Sequence, residues 1–193
     1  MKIEASFVRS AAGAADLPRD GLAEIALVGR SNVGKSSLIN ALVRQRLART
    51  SAAPGKTRLA NIYRVARGAG APLYLVDLPG YGYARSDSRD AVGFDDLTGV
   101  VFARDVVAIL LVDARHPGLD NDRAAWSWLK HNVAVRAIVA TKIDKLSREE
   151  RLRAMRTIEA VFEHPVTAVS AETGEGLEEL WKLIDRLTNK TSG

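Results

Sequence analysis

The chain of 193 residues contains no cysteine. This absence excludes a disulfide framework, a thiolate metal site and a cysteine nucleophile, and it fits a reducing compartment. The chain also lacks an apolar run long enough to span a membrane, and its N-terminus has no apolar core of the kind that a secretory signal carries. No lipidation motif or long basic amphipathic helix is present. We therefore expect a cytoplasmic protein without a membrane role.

The composition is that of one globular domain. Hydrophobic residues make up 47% of the chain and charged residues 26%, which is ordinary for a folded protein of this length. Lysine and arginine number 28 against 23 aspartates and glutamates, which gives a formal net charge of +5. This charge is compatible with contact to RNA or a ribosome, and equally with a solvated surface rich in arginine.

The residues at 29–36 fit the phosphate-loop pattern G-x-x-x-x-G-K-S/T at every fixed position. A short apolar run (24–28) precedes them and a helical pattern (37–43) follows, so the loop has the strand–loop–helix setting that it needs. Glycines let successive backbone N–H groups face anionic oxygens, and the helix N-terminus adds positive potential. Lys35 is expected to reach the β- and γ-phosphates, and the Ser36 hydroxyl to hold Mg²⁺. Nucleotide contacts are predicted for Gly29, Arg30, Ser31, Asn32, Val33, Gly34, Lys35, Ser36 and Ser37.

Strand and helix patterns alternate along the rest of the chain, which predicts an α/β fold with a mostly parallel sheet and helices on both faces. Six strands are predicted at 24–28, 61–66, 73–76, 106–112, 137–140 and 166–169, and later helices at 94–104, 121–132, 148 onward and 175–187. Ser147 with Glu150 three residues later predicts a capping box. Residues 1–21 are expected to form an extension with a possible edge strand, 22–188 the domain, and 189–193 a disordered tail.

Two further positions are candidate magnesium or phosphate contacts. Asp77 ends a predicted buried strand and starts Asp77-Leu78-Pro79-Gly80, so its carboxylate is well placed for Mg²⁺, and the Gly80 amide can approach a γ-phosphate without a side chain in the way. Thr57 lies in a loop at 44–58 and could complete the Mg²⁺ shell. The alternatives are a structural aspartate before a Pro-Gly turn and an ordinary turn threonine.

Taken in order, the elements at 29–36, 77–80, 141–144 and 170–172, with Thr57 between the first two, resemble the translation-factor-related GTPases. The stretches GRSNVGKSSLIN, PGKT, DLPGYGYA, LLVDARHPGLD and TKIDKLS are together similar to the EngB (YihA) family of bacterial GTPases, over residues 22–187. The segment 90–104 is less similar, because the family usually carries an aromatic-rich helix there.

This resemblance implies guanine recognition. Asp144 would accept from the guanine N1–H and exocyclic amine, Lys142 would lie over the base, and the backbone N–H near Ala171 would meet O6. Thr141 replaces the commoner asparagine, and its hydroxyl can still tie this loop to the phosphate loop; Glu172 replaces a lysine. The remaining implied nucleotide contacts are Gly55, Lys56, Thr57, Arg58, Leu59, Asp77, Leu78, Pro79, Gly80, Thr141, Lys142, Ile143, Asp144, Val169, Ser170 and Ala171.

The resemblance further implies a single Ras-like P-loop GTPase domain with switch loops near 46–58 and 78–96. Such a protein hydrolyses GTP with Mg²⁺, through Lys35, Thr57 and Gly80, as a molecular switch in assembly of the large (50S) ribosomal subunit, and is needed for normal cell division. Its expected partners are guanine nucleotide and the large-subunit precursor, and we expect a monomer.

One catalytic group is missing from the sequence. Tyr81 stands where many GTPases have a water-orienting glutamine, and none of the nearby arginines (30, 49, 58 and 85) can be assigned as an arginine finger, so we expect slow intrinsic hydrolysis accelerated by a partner. Asn32 could coordinate K⁺ between the phosphates, or could bond only within its loop. Two other classes stay open: an ATP-dependent P-loop enzyme, and a ribosome-binding module with little catalysis of its own.

Overall fold

The computed structural model describes residues 2–49, 59–81 and 96–191. Within these ranges, seven strands form one sheet and five α-helices cover its faces. The strands are β1 (Ile3–Ala11), β2 (Ala23–Gly29), β3 (Ala60–Arg67), β4 (Leu73–Asp77), β5 (Val107–Asp113), β6 (Val135–Thr141) and β7 (Val166–Ala168). The helices are α1 (Lys35–Val43), α2 (Asp96–Phe102), α3 (Asp120–Asn132), α4 (Arg148–Phe162) and α5 (Leu177–Thr191).

The sheet is mostly parallel, as predicted. Its strand order is β1-β3-β4-β2-β5-β6-β7, and every pairing from β4 to β7 is parallel. Only β3 runs antiparallel to its neighbours β1 and β4. The strands β4, β2, β5 and β6 therefore lie side by side with their carboxyl ends at one edge, which is where ligands bind in open α/β sheets.

The central strand β5 is buried on both faces, which explains its unbroken apolar sequence. Successive side chains of a strand point to opposite faces. Leu110 accordingly packs in one core with α2, α3 and α4, whereas Ile109 packs in a second core with α1 and α5. This double-layered packing fixes the sheet rigidly below the loops at its carboxyl edge.

The sheet has one strand more than the six predicted. The possible edge strand is β1, which pairs with β3 along its length through an irregularity between Phe7 and Arg9. The Phe7 ring meets the Tyr63 ring edge-on with 5.7 Å between centroids, although half of Phe7 stays exposed. The alternation of this strand is weak because it lies at an edge with much of its surface exposed.

The C-terminal prediction was wrong for residues 189–191. Helix α5 continues to Thr191 instead of ending at Leu187, and the Thr188 hydroxyl donates to the Ile184 carbonyl at 3.1 Å within the continuing helix. The helix predicted at 94–104 ends two residues earlier than expected, at Phe102, and residues 82–95 lie outside the described ranges. The capping box of Ser147 and Glu150 is confirmed. In the described ranges, no helix has the length and apolarity to cross a membrane.

Candidate nucleotide-binding site

The phosphate loop joins β2 to α1 at the centre of the carboxyl edge. Gly34 has a φ of 108°, a conformation that side chains rarely adopt, and its carbonyl accepts the Leu38 N–H at 2.8 Å as α1 begins. At Gly29, an added Cβ would lie 2.7 Å from the Val33 side chain and 3.1 Å from the Leu111 carbonyl oxygen. The fixed glycines of the pattern therefore serve backbone geometry, as predicted.

Lys35 lies inside this loop rather than in solvent. Its side chain is largely buried, and its Nζ donates to the Gly29 carbonyl oxygen at 3.2 Å. Burial lowers the pKa of Lys35, while the nearby Asp77 carboxylate opposes this shift. The structure thus places a cation between the two ends of the loop, where phosphate oxygens would be neutralised.

Ser36 and Asp77 form the oxygen-donor pair predicted for Mg²⁺. The Ser36 hydroxyl donates to Asp77 Oδ2 at 3.1 Å, and Asp77 is 7% exposed at the end of β4. Burial raises the pKa of Asp77, and Lys35 and Ser36 counter that shift. A buried carboxylate beside a hydroxyl is the hard-oxygen donor set that Mg²⁺ prefers when it also binds phosphates, so these residues fit the ion.

Four residues predicted to contact Mg²⁺ or the nucleotide lie outside the described ranges. Thr57 was the third predicted Mg²⁺ ligand, and it lies there together with Gly55, Lys56 and Arg58. Leu59 is described and is 39% exposed directly before β3. In the described ranges, no group of three or more His, Cys, Asp or Glu side chains could form a metal site of protein ligands alone.

Gly80 lies directly against the phosphate loop. A Cβ at this position would meet the Ser31 backbone nitrogen at 2.7 Å and its Oγ at 2.8 Å, so only glycine allows the approach. Pro79 is partly exposed beside it, whereas the Leu78 side chain is buried in the core. The side chains of Ile143 and Val169 are buried in the same way, so these three residues can face a ligand only through their backbone.

The loop after β6 is tied to the phosphate loop. The Thr141 hydroxyl donates to the Val33 carbonyl at 2.7 Å, with Val112 O as a second acceptor at 3.2 Å. This contact is the one predicted for threonine in place of asparagine. Lys142, with a φ of 61°, extends back over the same loop and donates from Nζ to the Asn32 carbonyl at 2.6 Å.

Asp144 and Ser170 come together across the two loops implied to bind guanine. The Ser170 hydroxyl donates to Asp144 Oδ1 at 2.7 Å and accepts from the Thr173 N–H at 3.0 Å. The hydrogen bond from Ser170, followed by the ion pair with Lys145, holds the pKa of Asp144 below its usual range. The carboxylate is therefore charged at neutral pH and is held in orientation by Ser170, the residue before Ala171, as recognition of a paired donor edge requires.

Sequence reasoning did not identify Asp113 as a site residue. This carboxylate ends β5, is buried, and accepts from Lys142 Nζ at 2.9 Å and from Arg115 Nη2 at 2.8 Å. The hydrogen bonds from Arg115 and Lys142 outweigh its desolvation and hold the pKa of Asp113 well below the usual range. The sequence feature that could have identified Asp113 is its position at the end of an apolar strand, which it shares with Asp77.

Comparisons with known proteins agree with this geometry. A family model described as the 50S ribosome-binding GTPase matches residues 24–142. The chain is 43% identical to the probable GTP-binding protein EngB of Pelotomaculum thermopropionicum, over 96% of each protein. The chain belongs to the EngB family of GTP-binding proteins. It is accordingly a GTP-hydrolysing enzyme.

A second relative supports the assignment to the EngB family, and two solved structures are similar in fold. The probable GTP-binding protein EngB of Chlorobaculum parvum is also 43% identical, over 94% of the chain and 95% of that protein. The crystal structure of Aquifex aeolicus Era Y63A bound to GDP and AlF4⁻ is similar with a TM-score of 0.72 and 25% identity, covering 86% of this chain and 56% of that one. A crystal structure of a probable GTP-binding protein engB has a TM-score of 0.62 at 20% identity, covering 87% and 99%, which shows the shared fold.

Proposed function

We propose that this GTPase is a molecular switch in assembly of the large ribosomal subunit, with the GTP state formed on the precursor and hydrolysis releasing it. The observation that carries the nucleotide part is the Asp144–Ser170 pair at 2.7 Å, which presents an oriented carboxylate in the loop that Thr141 ties to the phosphate loop. The description of the matching family as 50S ribosome-binding supports the partner, and the net charge of +5 is compatible with it. The proposal also includes a role in normal cell division and a cytoplasmic location.

The site residues have the following proposed roles. Lys35 and the loop amides neutralise the β- and γ-phosphates, and Ser36 with Asp77 would hold Mg²⁺. Bound Mg²⁺ would add positive charge at the phosphate oxygens. Asp144 selects guanine, and Gly80 offers its amide to the γ-phosphate. We retain Thr57 as the proposed third Mg²⁺ ligand and sensor of the γ-phosphate.

The proposed intrinsic rate is slow because Tyr81 has no means of orienting water. Tyr81 is 3% exposed, and its hydroxyl donates to the buried Asp122 carboxylate at 2.7 Å. A ribosomal partner, or K⁺ bound by the Asn32 amide, would then supply the missing acceleration. Hydrolysis at tens per second by the isolated protein would contradict the slow rate, and equal rates in KCl and NaCl at matched ionic strength would contradict the K⁺ role.

The experiment for nucleotide choice compares GDP, GTP, ADP, ATP and xanthosine diphosphate binding to the wild type and to Asp144→Asn. We expect guanine preference in the wild type and a shift toward xanthine in the variant, because an amide exchanges one acceptor for a donor. Asp105→Asn is the matched control, since Asp105 is exposed near the amino end of β5, at the opposite edge of the sheet. Equal binding of adenine nucleotides would overturn the guanine assignment and favour an ATP-dependent enzyme.

The experiment for the ribosomal role is co-sedimentation with purified large subunits and their precursors. We expect retention with a non-hydrolysable GTP analogue, release with GDP, and faster GTP hydrolysis when subunits are added. Retention without any change in hydrolysis would instead favour a ribosome-binding module that uses nucleotide as a structural ligand. No retention with either nucleotide would overturn the ribosomal proposal.

A further inference from the structure

Asp122 is a fully buried carboxylate outside all the predicted motifs. It lies in the first turn of α3 and has 0% exposure, in contrast to Asp120 in the same turn, whose side chain is 100% exposed. An exposed acid such as Asp120 is sufficient to complement the N-terminal end of a helix dipole. Burial of Asp122 therefore requires another explanation.

The Asp122 carboxylate contacts one residue from each of two loops at the nucleotide site. Its Oδ1 accepts from the Tyr81 hydroxyl at 2.7 Å and lies 3.4 Å from the Nε of Arg30. Arg30 belongs to the phosphate loop, and Tyr81 directly follows Gly80. One buried carboxylate thus joins the phosphate loop to the start of the second predicted switch.

The backbones of the same two loops are in contact. Arg30 and Tyr81 form an isolated parallel β-bridge beyond the ends of β2 and β4. Gly80, the residue before Tyr81, also lies against Ser31, the residue after Arg30, so closely that a Cβ on Gly80 would lie 2.7 Å from the Ser31 nitrogen. The contact between Gly80 and the phosphate loop is therefore flanked by the two residues that Asp122 holds.

The hydrogen bonding of this group is incomplete. Asp122 Oδ2 and Arg30 Nε are both buried and have no hydrogen-bond partner in the described part of the chain. Buried polar groups retained only for stability are normally satisfied, and exceptions concentrate where function constrains the arrangement. The pattern fits a set of contacts that fixes the position of one loop against another.

We propose that Asp122 is a positioning residue for GTP hydrolysis: through Tyr81 and Arg30 it holds Gly80 against the phosphate loop and keeps the Tyr81 ring away from the phosphates. The inference rests on the proposed contact between the Gly80 amide and the γ-phosphate. It assigns to Tyr81 an anchoring role, in the position where a water-orienting glutamine would otherwise stand. Asp122 touches neither substrate nor metal in this scheme and acts only through the two residues it binds.

The test is steady-state GTP hydrolysis and GDP affinity of the full chain carrying Asp122→Asn, Tyr81→Phe or both. Each single variant is expected to lower kcat about tenfold, because small displacements of a positioned group have effects of this size. The double variant is expected to be no slower than the slower single variant, since both changes act on the same contact: Tyr81→Phe removes the donor, and Asp122→Asn replaces the charged acceptor with a neutral amide. GDP affinity is expected to stay within about twofold, because GDP has no γ-phosphate to meet Gly80.

Two matched controls separate this role from general damage. Asp120→Asn removes an exposed carboxylate from the same helical turn. Tyr74→Phe removes a tyrosine–aspartate hydrogen bond of the same length, 2.7 Å, to Asp20 at the amino end of β4. Both controls should hydrolyse GTP within about twofold of the wild type.

Each outcome decides the proposal. A parallel loss of GDP and GTP affinity together with a lower Tm would overturn it in favour of a purely structural role. If Gly80→Ala lowers hydrolysis but Asp122→Asn and Tyr81→Phe do not, the positioning inference fails and the proposed role of Gly80 survives. If Gly80→Ala has no effect either, the proposed role of Gly80 fails as well. Should Asp122→Asn not fold, Tyr81→Phe alone decides, because it keeps the ring and removes only the hydroxyl.

Discussion

The tie between Thr141 and the phosphate loop gives the most direct test of how the site is built. The Thr141→Val variant keeps the shape and branching of the side chain and removes only the hydroxyl. In the wild type that hydroxyl is buried and donates to the Val33 carbonyl at 2.7 Å, with the Val112 carbonyl a second acceptor at 3.2 Å. The variant therefore leaves these carbonyl oxygens without that donor while opening no cavity.

The magnitude follows from the hydrogen bonds lost. One net hydrogen bond contributes about 0.5–1.5 kcal/mol, and a buried acceptor left unpaired costs about 1–3 kcal/mol. We expect the free energy of unfolding to fall by about 2 kcal/mol. Because the phosphate loop at Val33 then loses an anchor that orders it before binding, GDP affinity should fall roughly tenfold, equivalent to about 1.4 kcal/mol.

The assay is urea unfolding of the nucleotide-free protein together with a fluorescence titration of GDP. Thr157→Val is the matched control, because the Thr157 hydroxyl also donates to a backbone carbonyl, that of Arg153 at 3.0 Å, but on the exposed side of α4. The control should stay within about 0.5 kcal/mol of the wild type and bind GDP normally. If Thr141→Val lost no more stability than Thr157→Val and kept full GDP affinity, the reasoning would be refuted.

Three further predictions concern charge, metal and packing. Ser170→Ala should raise the pKa of Asp144 toward its ordinary value, because the Ser170 hydrogen bond is the largest cause lowering it. GDP affinity, which needs the carboxylate, should therefore begin to fall at a higher pH than in the wild type when the titration runs from about pH 6 to about pH 3. The same loss at the same pH in both proteins would contradict that cause. Asp77→Asn should lower kcat at least about tenfold at fixed Mg²⁺ and weaken the Mg²⁺ dependence of hydrolysis, measured by Mg²⁺ titration, whereas an unchanged Mg²⁺ profile would remove Asp77 from the proposed metal site. Leu110→Ala, in the fully buried strand β5, should cost about 2–5 kcal/mol in urea unfolding, whereas the exposed Leu152→Ala should cost under about 0.5 kcal/mol, and equal costs would contradict the described core.

The sequence by itself determined the phosphate loop, most of the strands and the capped start of α4. These features are encoded locally: glycines at fixed spacing set the backbone of the loop, an unbroken apolar run marks β5, and Ser147 with Glu150 caps α4. Residue identity at adjacent positions is sufficient to specify each of them. The motif implied to bind guanine was also visible in the sequence, although its meaning came from family resemblance rather than from spacing alone.

Only the tertiary structure decided which distant side chains meet. Tyr81 and Asp122 are 41 residues apart in the chain, and Lys142 lies 29 residues from Asp113, so no local periodicity links either pair. These contacts depend on the strand order, which brings the ends of β2, β4, β5 and β6 to one edge. The same reason explains why β1 was only a possible strand from its weak alternation: its place in the sheet depends on β3, about fifty residues further along the chain.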